Sequence, residues 1–121
     1  MIKSYGLTHI ALAVRDPNVS LRFYQRVFGV QEYFRDDSSI HTRSPGGRDV
    51  ITFVRDISAA GQPGGVMHFG FRLHSASDID AAVQEVEQAG GRILRRGEFA
   101  PGFPFAFASD PDGYEIEIWY E

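Results

Sequence analysis

The feature that most constrains this chain is that its second half repeats the plan of its first. Residues 7–14 and residues 66–73 each carry a single histidine, His9 and His68, in strand-like surroundings. The flanking residues alternate between two faces, the period-two signature of a strand. Thr8, Ile10, Leu12 and Val14 share one face of the first stretch, and Met67, Phe69, Phe71 and Leu73 share one face of the second. Those faces are mostly bulky and apolar, suited to lying beneath helices. The histidines fall on the opposite faces, beside Ala11 and Ala13 in one stretch and Gly70 in the other. Small neighbours leave room in front of an imidazole, so the paired histidines read as a site.

A helix is predicted after each histidine strand. Asp16 followed by Pro17 offers an N-cap and a favoured first helical residue; Leu21, Tyr24, Val27 and Phe28 follow at helical spacing, and Gly29 supplies the stop. In the second half Ser75 or Ser77 caps a segment whose stripe is Ile79, Ala82, Val83 and Val86, ended by Gly90 and Gly91. Three strands then follow in each half, at residues 31–36, 39–43 and 48–55, and at 92–97, 103–109 and 114–120. Polar turns at 36–39, 44–47 and 110–113 separate them. The expectation is one α+β domain over residues 1–121, built from two βαβββ modules with curved mixed sheets around a cavity. Module one covers residues 1–58, module two covers 66–121, and 59–65 is a flexible linker.

Composition narrows the function. The net charge of −4 excludes nucleic acid as the main partner, because Arg95 and Arg96 are the densest basic pair and a pair neutralises no run of phosphates. With no cysteine, any metal must be held by nitrogen and oxygen. No secretory leader pattern and no apolar run of membrane-spanning length is visible, so the sequence reads as cytoplasmic with no membrane partner. Ten Phe, five Tyr and one Trp point to a well-filled core or an aromatic-walled cavity.

The last predicted strand supplies a carboxylate. Ile116 and Ile118 take its core face, leaving Glu115, Glu117 and Trp119 on the other. Either glutamate, on the face of the two histidines, would complete a two-histidine, one-carboxylate set that leaves coordination positions open for substrate. Thr52, flanked by core-facing Ile51 and Phe53, also points to the cavity side. Phe103, Phe105 and Phe107 alternate and share one face, as core or as an aromatic wall. His41 and His74 are expected near loops or strand ends, and Arg43 and Arg48 as surface charges.

The repeated βαβββ unit, His9, His68 and the closing run from Asp110 to Glu117 resemble the vicinal oxygen chelate superfamily, the glyoxalase/bleomycin resistance protein/dioxygenase fold. The resemblance covers essentially the whole chain. Its most specific piece is the Asp110-Pro111-Asp112-Gly113 turn with a glutamate four residues beyond the glycine, which selects Glu117 over Glu115. It implies His9, His68 and Glu117 as ligands of a divalent cation (zinc, nickel, manganese or iron), with Thr52, Phe103, Phe105, Phe107 and Trp119 lining the substrate cavity. It also favours a homodimer. Glyoxalase I carries a fourth, acidic ligand where this chain has Thr52, so glyoxalase I turnover is not expected. Extradiol dioxygenases carry a histidine and a tyrosine before the Asp-Pro turn; residues 98–109 hold no histidine, and Phe107 stands in the tyrosine's place. The leading expectation is a metal-dependent lyase, isomerase or addition enzyme acting on a small oxygen-chelating substrate. The alternatives are a metal-independent sequestering protein of the bleomycin-resistance type and a ring-cleaving dioxygenase. No residue stands out as a general base; Glu98 and Tyr114 are the only candidates.

Overall fold

The computed structural model describes residues 1–62 and 64–121. The chain divides into two compact units, Met1–Ala60 and Gly61–Glu121. Unit one runs β1 (His9–Val14), α1 (Pro17–Phe28), β2 (Gln31–Arg35), β3 (Ser39–Arg43) and β4 (Val50–Arg55). Unit two repeats the order as β5 (Phe69–Arg72), a 3₁₀ turn (Ala76–Asp78), α2 (Ile79–Gln88), β6 (Arg92–Ala100), β7 (Phe103–Ser109) and β8 (Glu115–Trp119). Each unit folds one mixed four-stranded sheet, in the orders β1-β4-β3-β2 and β5-β8-β7-β6. The histidine-side strand pairs parallel to the last strand of its own unit, and the other neighbours are antiparallel.

The helix ends follow the local chemistry. The Asp16 carboxylate accepts the Asn18 N–H at 2.9 Å, satisfying a donor that the first turn leaves free, and Pro17 needs no partner. Gly29 stops the helix at φ 67°, where a side chain would be strained, and its N–H reaches the Gln25 carbonyl at 3.0 Å. In unit two the cap is Ser75, whose hydroxyl accepts the Ser77 N–H at 3.3 Å to start the 3₁₀ turn ahead of α2.

Each helix covers one face of its own sheet. In unit one α1 sets Leu21, Phe23 and Tyr24 against β3 and β4, and the Tyr24 and Phe53 rings lie 5.0 Å apart. Leu12, Val14, Ile40 and Ile51 complete that core. Burying each large side chain contributes about 1.5–3 kcal/mol. In unit two Ile79, Val83 and Val86 pack over Ala106, Ala108, Ile116 and Ile118. The two alanines give α2 room to lie close on β7.

Several bounds differ from the sequence reading. β5 starts at Phe69, so Met67 does not join a core face and is 81% exposed. The register pairs Phe69 with Ile116, which leaves β8 only Glu115 beyond it, and the ladder runs out at His68. β6 continues to Ala100 instead of residue 97, bent by register shifts at Ile93/Arg95 and Glu98/Ala100. His41 lies in the middle of β3, not at a strand end, because β2 and β4 flank it on both sides. The expected linker begins as a hydrogen-bonded turn: Asp56 accepts from Ser58 and Ala59, and the buried Ala60 donates its N–H to the Asp56 carbonyl. Its Pro63 lies outside the described residues. Among the described residues no helix is long and apolar enough to cross a membrane.

Candidate metal centre

The carboxylate half of the site is set by the turn before β8. Asp110 is 4% exposed, and its Oδ1 accepts the backbone N–H groups of Asp112 and Tyr114, each at 2.9 Å. The Gly113 N–H closes on the Asp110 carbonyl at 3.0 Å, with Gly113 at φ 96°. The Asp110 N–H in turn donates to the Tyr114 carbonyl at 3.0 Å, closing the turn where the chain enters β8. The register of β8 points Ile116 and Ile118 at the core and Glu117 to the other face, opposite Gly70 on β5 and Phe107 on β7.

His68 meets Glu117 on that face. Its Nε2 lies 3.2 Å from Glu117 Oε2, with both side chains partly exposed. Phe107 holds the imidazole edge-on at 5.0 Å. Gly70 lets the Trp119 indole lie close against β5, since a Cβ there would meet Trp119 Nε1 at 3.1 Å and the Glu117 carbonyl at 3.2 Å. Glu115 is engaged elsewhere: Arg95 pairs with its Oε1 at 2.5 Å while lying over the Phe107 ring at 3.9 Å. Phe105 packs between Phe107 (5.6 Å) and Phe99 (4.7 Å), extending an aromatic row along the same face, while Phe103 is 40% exposed. Trp119 carries Arg72 over its ring at 5.5 Å.

Unit one builds the same arrangement with different chemistry. His9 opens β1, and its Nε2 lies 3.2 Å from the Thr52 hydroxyl. Thr52 is paired with Ala11 and His41 as Glu117 is paired with Gly70 and Phe107. The Thr52 hydroxyl, 4% exposed, also contacts His41 Nδ1 at 3.1 Å. His41 Nε2 meets the Ser39 hydroxyl at 3.2 Å, and that hydroxyl donates to Asp36 Oδ1 at 3.0 Å. The backbone N–H groups of Ser38 and Ser39 and the Ser39 hydroxyl hold the Asp36 carboxyl below its ordinary range. Tyr33 and Phe34 flank the His41 ring edge-on. By sequence, His41 is expected near a loop or strand end, and Asp36 and Ser39 only at a turn. Pairing the 39–43 strand against the 50–55 strand across the turn after Ser44 would have set His41 opposite Thr52.

Of the remaining candidates, Arg43 borders the His41 cluster through Tyr33. Arg43 and Arg48 lie over Tyr33 and Tyr5, each within 4 Å of the ring centroid. Glu98 is exposed on β6, paired with Pro104, and Tyr114 belongs to the turn ahead of β8. Within either unit, the described residues gather no three His, Asp or Glu side chains around one point. His9 belongs to unit one, and His68 with Glu117 to unit two.

His68 and Glu117 are donors of the types that hold divalent metals. Two donors about 2.0–2.2 Å from one ion sit roughly 2.8–3.6 Å apart in octahedral or tetrahedral geometry. The 3.2 Å between His68 Nε2 and Glu117 Oε2 falls in that range. Imidazole and carboxylate without thiolate suit zinc, nickel, manganese or ferrous iron.

Residues 6–118 match the Glyoxalase/Bleomycin resistance protein/Dioxygenase superfamily, and the chain belongs to it. It is 30% identical over 124 residues to an uncharacterized protein of Pseudomonas aeruginosa, covering 94% of this chain and 87% of that one. It is 26% identical over 119 residues to a probable trivalent organoarsenical cleaving enzyme of Bacillus subtilis, covering 93% of this chain and 77% of the relative. The fold is shared with a glyoxalase-related enzyme of Fulvimarina pelagi at TM-score 0.79 and 24% identity, over 98% of this chain and 89% of that one.

Proposed function

We propose that the chain is a metal-dependent enzyme that binds one divalent cation through His9, His68 and Glu117 and acts on a small substrate that chelates through oxygen atoms. The observation that carries this reading is the His68–Glu117 pair, two ligand-type atoms 3.2 Å apart on partly exposed side chains of unit two. His9 stands at the equivalent point of the repeat in unit one. When bound, such an ion would polarise a substrate oxygen and favour lyase, isomerase or addition chemistry. The chain's own residues do the positioning. Phe107 fixes the His68 ring, the turn held by Asp110 fixes Glu117, and Arg95 keeps Glu115 away from it. The cleavage chemistry in the name of the Bacillus relative agrees with an enzyme of this class. Family resemblance also favours a homodimer, to be checked by light scattering at micromolar concentration.

A second reading has its own support. The Phe99–Phe105–Phe107 row gives an apolar wall suited to holding a flat or hydrophobic molecule without turnover. Metal analysis separates the two. Elemental analysis of the purified wild type should find about one equivalent per chain, and His9→Ala, His68→Ala and Glu117→Ala should each remove most of it. Metal-free wild type that still binds an aromatic ligand would establish sequestration instead.

A further inference from the structure

We propose that Thr52, His41, Ser39 and Asp36 form a one-directional proton relay, with His41 as the proton acceptor of the site and Thr52 as its conduit. This deepens the metal-centre reading and rests on it for the substrate's arrival, though not for the relay's geometry, which lies within unit one.

The direction follows from counting hydrogens. The Ser39 hydroxyl has one proton and donates it to Asp36, which the two backbone N–H bonds keep as a carboxylate. Ser39 Oγ must therefore accept from His41 Nε2–H. A neutral His41 with its proton on Nε2 has only a lone pair on Nδ1, so it accepts the Thr52 proton. Thr52 Oγ1 then accepts from His9 Nε2–H, which leaves His9 Nδ1 as the nitrogen with a lone pair for a cation. Every group has one role, and the chain runs from the His9 side to a surface carboxylate. A hydroxyl bonded to an imidazole, which is oriented in turn by a group leading to a carboxylate, is the arrangement that activates a hydroxyl as a proton carrier.

The ligand class follows. A substrate acid that loses a proton as it chelates, such as a hydroxamic acid, a catechol or an α-hydroxy ketone, passes that proton to Thr52 Oγ1. Thr52 releases its own proton to His41 Nδ1. The resulting imidazolium is balanced by Asp36 through Ser39, and the substrate keeps the negative charge that the proton leaves behind. Phe107, at the equivalent position of unit two, can accept no proton, so the relay exists in unit one alone. Neither Glu98 nor Tyr114 is then needed as the base.

Two measurements test this. The first is imidazole ¹⁵N NMR of the metal-free full-length protein. His41 is expected as the Nε2–H tautomer with Nδ1 as acceptor; Thr52→Ser should keep that state, and Thr52→Val and Ser39→Ala should average it. An Nδ1–H tautomer in the wild type, or no response to Thr52→Val, would overturn the relay. The second is a proton inventory by calorimetry in two buffers, using acetohydroxamic acid on the zinc-loaded protein. Wild type should keep the ligand's proton, whereas His41→Gln should release about one more per ligand to the buffer. Equal release from both would overturn the acceptor role. If the loaded protein binds no hydroxamate at all, the oxygen-chelating reading fails, and the tautomer measurement still decides the relay.

Discussion

Thr52 stands in unit one where Glu117 stands in unit two. Each lies on the last strand of its unit, opposite a small residue of the parallel neighbour (Ala11 or Gly70) and an aromatic ring of the antiparallel one (His41 or Phe107). Each meets a histidine Nε2 at 3.2 Å. The repeat therefore keeps one geometry and divides two tasks. Unit two contributes a carboxylate suited to a cation, while unit one contributes a neutral hydroxyl tied to a base.

This division predicts unequal effects on metal binding. His68→Ala and Glu117→Ala should each lower bound metal at least tenfold. His68→Ala loses the contact with the Phe107 ring and Glu117→Ala the pair with His68, so each should cost about 0.5–1.5 kcal/mol of stability. Thr52→Val should leave metal content near wild type, because Thr52 is not among the ligands. Elemental analysis with parallel melting curves checks all three. Metal retained after His68→Ala would remove His68 from the ligand set.

The turn that aims Glu117 should matter more to stability than Glu117 does. Asp110→Ala removes two charge-assisted bonds to the Asp112 and Tyr114 N–H groups from a buried site. At about 1.5 kcal/mol each, the loss should be about 3 kcal/mol. Gly113→Ala, forced to φ 96°, should cost about 1–3 kcal/mol from backbone strain alone. Urea unfolding at fixed pH would measure both. A loss below 1 kcal/mol for Asp110→Ala would show that β8 finds its register without the turn.

Much of this was legible in the sequence because it is local or periodic. The caps at Asp16 and Gly29, the strand at residues 39–43 and the turn at 110–113 announce themselves through residue type and spacing. What escaped depends on register between strands. Nothing local to His41 says that it faces Thr52; the pairing of β3 with β4 decides it. Met67 misled because alternation persists in sequence after the ladder has lost its partner at Glu115. The aromatic triplet could not be assigned a face until Ala106 and Ala108 were seen beneath α2, which puts Phe105 and Phe107 on the His68 side.

Asp36 gives a pH prediction. Its folded pKa lies below the ordinary 3.8, chiefly through the Ser38 N–H, then the Ser39 hydroxyl and N–H. A depressed carboxyl stabilises the fold above its unfolded pKa, and that contribution is lost as pH falls through the folded value. Acid unfolding should therefore begin below the usual aspartate range, and Asp36→Asn should flatten that part of the stability curve. Circular dichroism at stepped pH below 4.5 follows it. An identical acid limb in Asp36→Asn would show that the carboxyl contributes nothing to the linkage.

Giving unit one the carboxylate of unit two is the strongest test of the division. Thr52→Glu would place a charged oxygen beside His9, as Glu117 stands beside His68. A fourth ligand, the second through oxygen, should tighten metal binding about tenfold or more. The added bulk at a site only 4% exposed should cost about 1–3 kcal/mol of stability. The substitution also cuts the link to His41, so His41 should lose its single tautomer as the metal affinity rises. Wild type, with a neutral group at this position, should show little isomerisation of the methylglyoxal–glutathione adduct. Robust turnover by the wild type would mean that proton transfer needs no carboxylate at position 52. Unchanged metal affinity in Thr52→Glu would mean that His9 and Thr52 do not face the ion at all.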